Sequence, residues 1–297
     1  MRITIVRIWL AVFVSFISFV NSSFAQLPQK EPRADYHNQT IPKKEDQTKE
    51  GQLQSKPDYL KIFASDTKSI LTAPLRWDKS DWLTASLVTG VTIGLYACDQ
   101  NIQDWVQKQR NSTSDDIARF AKPFGDGRYT LPSLGTFYLY GHFFEDEKAQ
   151  RTALISLESF VFSGIFTQAI KYTGHRHRPS SGDSYSTWDG PGLASSNLSF
   201  PSGHSCAAFS IATVIATEYD DIVFIPPLAY GIAALTAFSR VNDNDHWASD
   251  AFFGSAIGYF TAKAVVGLHS KKEKDRNLSV YPMIDGEYAG LLIAYRL

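Results

Sequence analysis

Beyond Asp58 the chain keeps one texture: long apolar stretches closed by short joints rich in Gly, Pro, Asn or Asp. Residues 82–98, 102–122, 131–144, 151–172, 205–219, 222–238 and 246–268 are such stretches. Each is too long for an ordinary strand and ends in residues that stop helices. The expectation is an all-α bundle of about six or seven long helices over residues 58–276.

The two ends depart from that texture. Arg2 and Arg7 precede an apolar run at 8–20, and Ser23-Phe24-Ala25 places small residues before Gln26. That order reads as a signal peptide over 1–25, too short to span a bilayer, and so as export. Residues 26–57 are polar and carry no apolar period, which predicts a disordered linker. At the C-terminus, LSVYPMI and YAGLLIAYRL flank Asp285-Gly286-Glu287. This pattern predicts a short β-hairpin over 277–297, with Pro282 confined to an edge or a bulge.

Whether the bundle meets lipid is a separate question. Glu158, Gln168 and Lys263 interrupt the apolar stretches, and mean hydropathy is −0.17. A bilayer span needs about 20 largely apolar residues. The stretch 222–238 nevertheless offers no charged face, so membrane association is the expectation. A formal net charge of −1 gives no basic excess and argues against nucleic acid as a partner. Two cysteines, Cys98 and Cys206, are too few for a disulfide framework or a Cys-rich metal centre, and both are expected as buried thiols.

Three segments place polar residues where the texture predicts apolar ones. Lys171-Tyr-Thr-Gly-His-Arg-His-Arg178-Pro179 ends a helix in positive charge. Pro201-Ser202-Gly203-His204 opens directly into the next helix. Ser239-Arg240 is followed after five residues by His246 and after three more by Asp250. Lys171, Arg178 and Arg240 would supply cations from separate segments, a set suited to a phosphate dianion. Backbone N–H groups at the helix start after Ser202-Gly203 would add a positive helix end. His246 and Asp250 are four apart, which on one helix puts them on one face. A carboxylate on one ring nitrogen leaves the other nucleophilic, and His204 could protonate a leaving group.

Together these segments resemble the three-part signature of the type 2 phosphatidic acid phosphatase (PAP2) and vanadium haloperoxidase superfamily. All eleven signature residues stand in place: Lys171, Arg178, Pro179, Pro201, Ser202, Gly203, His204, Ser239, Arg240, His246 and Asp250. The resemblance implies a metal-independent phosphatase without a cofactor. In it His246 attacks phosphorus, Asp250 orients His246, and His204 serves as acid and then base. Lys171, Arg178, Ser202, Gly203 and Arg240 hold the phosphoryl oxygens. The substrate implied is a phosphomonoester or pyrophosphate, most simply a lipid phosphate, met on the extracytoplasmic side. A soluble periplasmic acid phosphatase and a vanadium-dependent haloperoxidase use the same signature, though such haloperoxidases are typically longer chains.

Asp243 and Asp245, in the spacer before His246, read as a solvent-facing loop or as a field acting on His246. The spacer lacks the glycine and distant glutamate of a calcium loop, so no metal is expected there. His175 and His177 read as loop residues, Glu158 as paired in the core, and Gly125-Asp126-Gly127 as a joint.

Overall fold

The structure is a computed structural model that describes residues 65–70, 72–285 and 288–295, with side chains through 271. The expected signal peptide and linker lie outside the described residues. The body is mostly helical, as the apolar stretches require. A short helical segment at 65–70 precedes seven longer helices. These are α1 (Lys79–Gln109), α2 (Ser112–Ala121), α3 (Gly127–Phe143), α4 (Glu147–Gly174), α5 (Gly203–Glu218), α6 (Ile225–Asn242) and α7 (Ala248–Asn277). Where the hairpin over 277–297 is expected, the backbone of Leu278–Asp285 pairs antiparallel with that of Tyr288–Tyr295, and the body that precedes it is helical.

One boundary differs from expectation. The polar run Asp99-Gln100-Asn101 reads as a joint, yet α1 continues through it for 31 residues. The Asp99 carboxylate accepts bonds from the Ser249 backbone and from Arg176, so it is satisfied without ending the helix. The break falls instead at Asn111. Its side chain caps α2 by accepting from Ser114 N–H, while the Ser114 hydroxyl bonds back to the Asn111 backbone.

Helix α5 is the centre of the body and packs against α4, α6 and α7. Its closest approach to α7 depends on glycine. A Cβ on Gly254 would lie 2.3 Å from the Ser202 carbonyl oxygen, and one on Gly258 would lie 2.2 Å from that of Cys206. Four residues apart, the two glycines form one bare stripe on α7 that admits the start of α5. Ile70, Ile155, Phe162, Val214, Val265 and Val266 fill the core between the 65–70 segment, α4, α5 and α7. Burying each such side chain contributes about 1.5–3 kcal/mol. Cys206 is buried as expected, but Cys98 is exposed, because its stretch of α1 has little packed against it.

Candidate active site

The turn before α5 is built from Pro201 to His204. Ser202 is the N-cap: its hydroxyl accepts from Ser205 N–H at 3.4 Å and from the Ser205 hydroxyl at 2.9 Å. Its own N–H donates to the Asp250 carbonyl at 2.9 Å. Both polar groups of Ser202 are therefore committed to the turn, and Gly203 and His204 provide the first helical N–H groups. Gly125 lets the preceding loop touch this turn, since a Cβ there would sit 2.4 Å from the His204 carbonyl oxygen. The segment 125–127 thus borders the site directly.

His246 and Asp250 do not share a helix. Helix α7 begins at Ala248, because the Asp250 carboxylate accepts from Trp247 N–H at 2.9 Å and caps the first turn. His246 stands in the turn before it, with Nδ1 3.7 Å from Asp250 Oδ2. Ser199 closes that gap: its hydroxyl donates to Asp250 at 2.5 Å and lies 3.4 Å from His246 Nδ1. Burial drives the His246 imidazolium out and lowers its pKa to about 4, against the opposing pull of Asp250.

The three cations converge on this ring and on His204. Lys171, buried near the end of α4, donates to the carbonyls of Leu198 and Ser199 and so ties α4 to the Ser199 loop. Lys171 and Arg178 both act electrostatically on His246, and Arg240 and His246 both act on His204. Arg240 is 1% exposed, yet among the described residues its Nε and Nη1 have no hydrogen-bond partner, and neither has His204 Nε2. Buried polar atoms are almost always bonded. Orphaned donors on a buried guanidinium beside an orphaned imidazole nitrogen form a ready anion site.

The remaining Arg240 nitrogen, Nη2, is held by two carboxylates. It reaches Asp243 at 3.1 Å and also bonds Asp245. Asp245 in turn lies 3.6 Å from Arg178 Nη1, and Asp243 lies 3.4 Å from Lys122 Nζ. The spacer is consequently not a free solvent loop. Gln103 and Gln107 of α1 donate to the Val241 and Asn242 carbonyls and to Asn244, pinning it from behind.

Arg176 is the residue that sequence reasoning passed over. It is fully buried and donates to Asp250 at 2.6 Å, Ser249 at 2.8 Å, Asp99 at 2.8 Å and the Tyr185 carbonyl. Tyr96, Trp188 and Trp247 surround its guanidinium at 4.7, 5.3 and 5.5 Å from their ring centres. Its neighbours serve the fold. His175 ends α4 in the left-handed conformation, and its ring nitrogens face the carbonyls of Gly190 and Ala194. His177 bonds Asp183 and Asp189, which raise its pKa. Asp126 caps α3, binds Arg128 and lies 3.9 Å from His204 Nε2, and the Arg128 bonds hold its pKa at about 2. Nothing in the sequence sets Arg176 apart from the His175 and His177 that flank it, and Asp99 stands in the polar run 99–101 that reads as a joint.

Residues 152–274 match the model of the PAP2 superfamily. Over 61 residues the chain is 41% identical to a lipid A 1-phosphatase of Porphyromonas gingivalis, covering 20% of this chain and 14% of that protein. It is 30% identical over 121 residues to a PA-phosphatase related-family protein of Dictyostelium discoideum, covering 36% of this chain and 44% of that one. The matches therefore span less than half the length of either relative. The crystal structure of a transmembrane PAP2 type phosphatidylglycerolphosphate phosphatase from Bacillus subtilis shares the fold. It superposes with a TM-score of 0.50 and 22% identity, over 63% of this chain and 96% of that one. The match over 152–274 takes in Lys171, Arg178, His204, Arg240, His246 and Asp250, so the part of the chain that carries this site is similar to the PAP2 superfamily.

Proposed function

We propose that this chain is an exported, membrane-associated phosphatase that hydrolyses phosphomonoesters or pyrophosphates, with lipid phosphates as the substrate class. The observation that carries the reading is the set of orphaned buried nitrogens, Arg240 Nε, Arg240 Nη1 and His204 Nε2, beside the buried His246. In the first step His246 Nε2 attacks phosphorus, the bond to the leaving oxygen breaks, and His204 gives that oxygen a proton. In the second step His204 takes a proton from water, the hydroxyl attacks phosphorus, and the P–N bond breaks to release phosphate. Asp250, with Ser199, holds the Nδ1 edge of His246 and so presents Nε2. Arg178, Arg240, Lys171 and the N–H groups after Ser202 stabilise charge as it moves onto the phosphoryl oxygens. Ser202 serves by shaping that turn and Gly203 by opening it to a close anion.

Lipid phosphates are favoured by apolar surface. Leu83, Leu87 and Ile93 on α1, Phe143 on α3, Ile165 on α4 and Leu228 on α6 are each more than half exposed. Helices α4 and α7 are also long and apolar enough to cross a membrane. The lipid A 1-phosphatase relative points to the same class of substrate. The test is phosphate release from a panel of lipid and water-soluble phosphates by the membrane fraction of expressing cells. Release from soluble esters alone would make this an acid phosphatase of small organic phosphates.

A further inference from the structure

A cavity of about 260 Å³ lined by charged side chains borders the phosphate site. Arg110 stands just past α1, Asp115 and Arg119 on α2, Lys122 in the turn Lys122–Gly125, and Asp243 in the spacer before His246. The chemistry above has no use for these three cations. Asp243 is the shared wall: its Oδ2 meets Arg240 Nη2 at 3.1 Å on the phosphate side and Lys122 Nζ at 3.4 Å on the cavity side. The turn that begins at Lys122 ends at Gly125, against the His204 backbone, and the Lys122 charge acts on the His204 ring. The cavity therefore lies on the side of the group that protonates the leaving oxygen.

Its walls are held in place by the fold. The Thr236 hydroxyl of α6 donates to the Ala121 carbonyl at 2.9 Å, and Asn242 Nδ2 donates to Asp115 at 2.9 Å, so α2 and the turn after it are fixed to the end of α6. Both carboxylates in the cavity are already shared. Asp115 accepts from Arg110 and Asn242, and Asp243 accepts from Lys122 and Arg240. Arg110 commits only Nε to its ion pair, and Arg119 only Nη1 to its pair with Asp116, so among the described residues their other guanidinium donors have no protein acceptor. Side-chain exposures of 36% for Arg110, 79% for Arg119 and 42% for Lys122 leave all three open to a ligand from solution. More cationic donors than carboxylate acceptors suit an anion, and guanidinium forks match phosphate oxygens.

We propose that Arg110, Arg119 and Lys122 form a second anion subsite that receives the leaving group, so that the preferred substrate is a diphosphate ester and the group expelled is itself a phosphate ester. This rests on the roles given above to His246 and His204. His246 Nε2 bonds to the terminal phosphorus, and the bond from that phosphorus to the bridging oxygen breaks. The electron pair stays on the bridging oxygen, which takes the proton of His204. The departing phosphate ester carries negative charge that the cavity neutralises. A monophosphate ester expels a neutral alcohol, to which the three cations offer nothing, so the subsite discriminates between the two substrates.

The experiment compares a lipid diphosphate with the lipid monophosphate of the same chain, each in detergent micelles with the full-length protein. Wild type is expected to favour the diphosphate in kcat/KM by about tenfold, the order of one charge-assisted hydrogen bond. Arg119→Gln and Lys122→Gln are each expected to lower kcat/KM for the diphosphate by about two- to fivefold, and for the monophosphate by less than about twofold, as partly exposed charges should. The double variant is expected to lose most of the preference, and Lys122→Arg to keep it. A wild type without the preference, or variants that slow both substrates alike, overturns the proposal. Calorimetric titration with inorganic pyrophosphate and with phosphate separates this subsite from the reaction itself. Wild type is expected to bind pyrophosphate about tenfold more tightly than phosphate, and the double variant to lose most of that difference. If no lipid releases phosphate but the binding preference is present and lost in the double variant, the proposed reaction falls and the subsite stands. If the monophosphate is hydrolysed but pyrophosphate binds no better than phosphate, the subsite falls and the reaction stands.

Discussion

Arg176 and Asp250 form an ion pair at 2.6 Å in which neither side chain is exposed to solvent. The same guanidinium binds Asp99 at 2.8 Å, so α1, the loop after α4 and the start of α7 meet on one cation. Removing the cation strands two buried carboxylates, and breaking such a pair costs about 3–5 kcal/mol. Arg176→Ala is therefore expected to unfold at markedly lower temperature than wild type. Arg176→Lys keeps the charge but loses the fork that reaches Asp99 and Asp250 together, and it is expected to recover less than half of the loss. Thermal denaturation of both variants checks this; an Arg176→Ala protein as stable as wild type would refute it.

The nucleophile assignment makes a chemical prediction. His246→Ala is expected to lower turnover by at least about a thousandfold. Wild-type reactions stopped in alkali are expected to retain phosphate on a histidine, and acid is expected to release it. Peptide mapping that finds the phosphate on His204, or on no residue, would overturn the order of roles given to the two rings.

Asp245 holds Arg240 and lies 3.6 Å from Arg178, so it competes with a bound phosphoryl group for both cations. Its side chain is 31% exposed, which keeps the competition modest. By the strength of partly exposed ion pairs, Asp245→Asn is expected to tighten inhibition by inorganic phosphate about two- to fivefold. Asp245→Glu, which keeps the charge, is expected to stay near wild type. An Asp245→Asn protein with unchanged or weaker phosphate inhibition would mean that the carboxylate only shapes the loop.

What the sequence makes legible follows from what is local. Lys171, Arg178, His204, Arg240, His246 and Asp250 can be singled out as candidates because their spacings within each segment are set by helix starts and ends. The helical body is legible because its apolar stretches are long. Arg176 is not legible, since its partners Asp99 and Ser249 lie 77 and 73 residues away and only the fold joins them. The same long-range satisfaction of Asp99 hides the continuity of α1. Ser199 escapes for a related reason: a serine in a loop carries no signal until the 3.7 Å gap between His246 and Asp250 is seen.

Burial also fixes the acid side of the pH profile. His246 loses a proton at about 4 instead of near the ordinary histidine value of about 6.5. The ring is then neutral, and able to attack, at every pH above about 4. The acid limb of kcat/KM is expected below pH 5, with no break near 6.5 from this group. Stability runs the same way: the unfolded chain takes up a proton below about 6.5 that the folded ring refuses, so the contribution of neutral His246 is lost as pH falls from 6.5 towards 4. A kcat/KM profile whose acid limb sits at 6.5 would contradict the burial of His246.

Helix α1 supplies the last prediction. From Trp82 to Gly94 it is apolar or small at most positions, yet Trp82, Leu83, Leu87 and Ile93 are 52–72% exposed. A helix that is apolar around much of its circumference and bare of packing needs lipid or another apolar partner. Leu131, Leu139 and Phe143 on α3 and Val223, Phe224 and Leu228 around the start of α6 extend the exposed apolar surface. Protein from expressing cells is expected to stay with the membrane pellet through a carbonate wash and a high-salt wash, and to leave it only in detergent. Salt removes proteins held by charge, and carbonate removes those held at the surface, so retention through both requires apolar contact with the bilayer. Replacing Leu83, Leu87 and Ile93 together by Lys places charge on the lipid-facing side of α1, at a cost of roughly 2.5–3.5 kcal/mol for each one that reaches the bilayer centre. The triple variant is expected to accumulate less in the membrane pellet than wild type. Quantitative release of the wild-type protein by carbonate alone would show that these side chains face something other than lipid, and would move the substrate class from lipid phosphates to small phosphate esters.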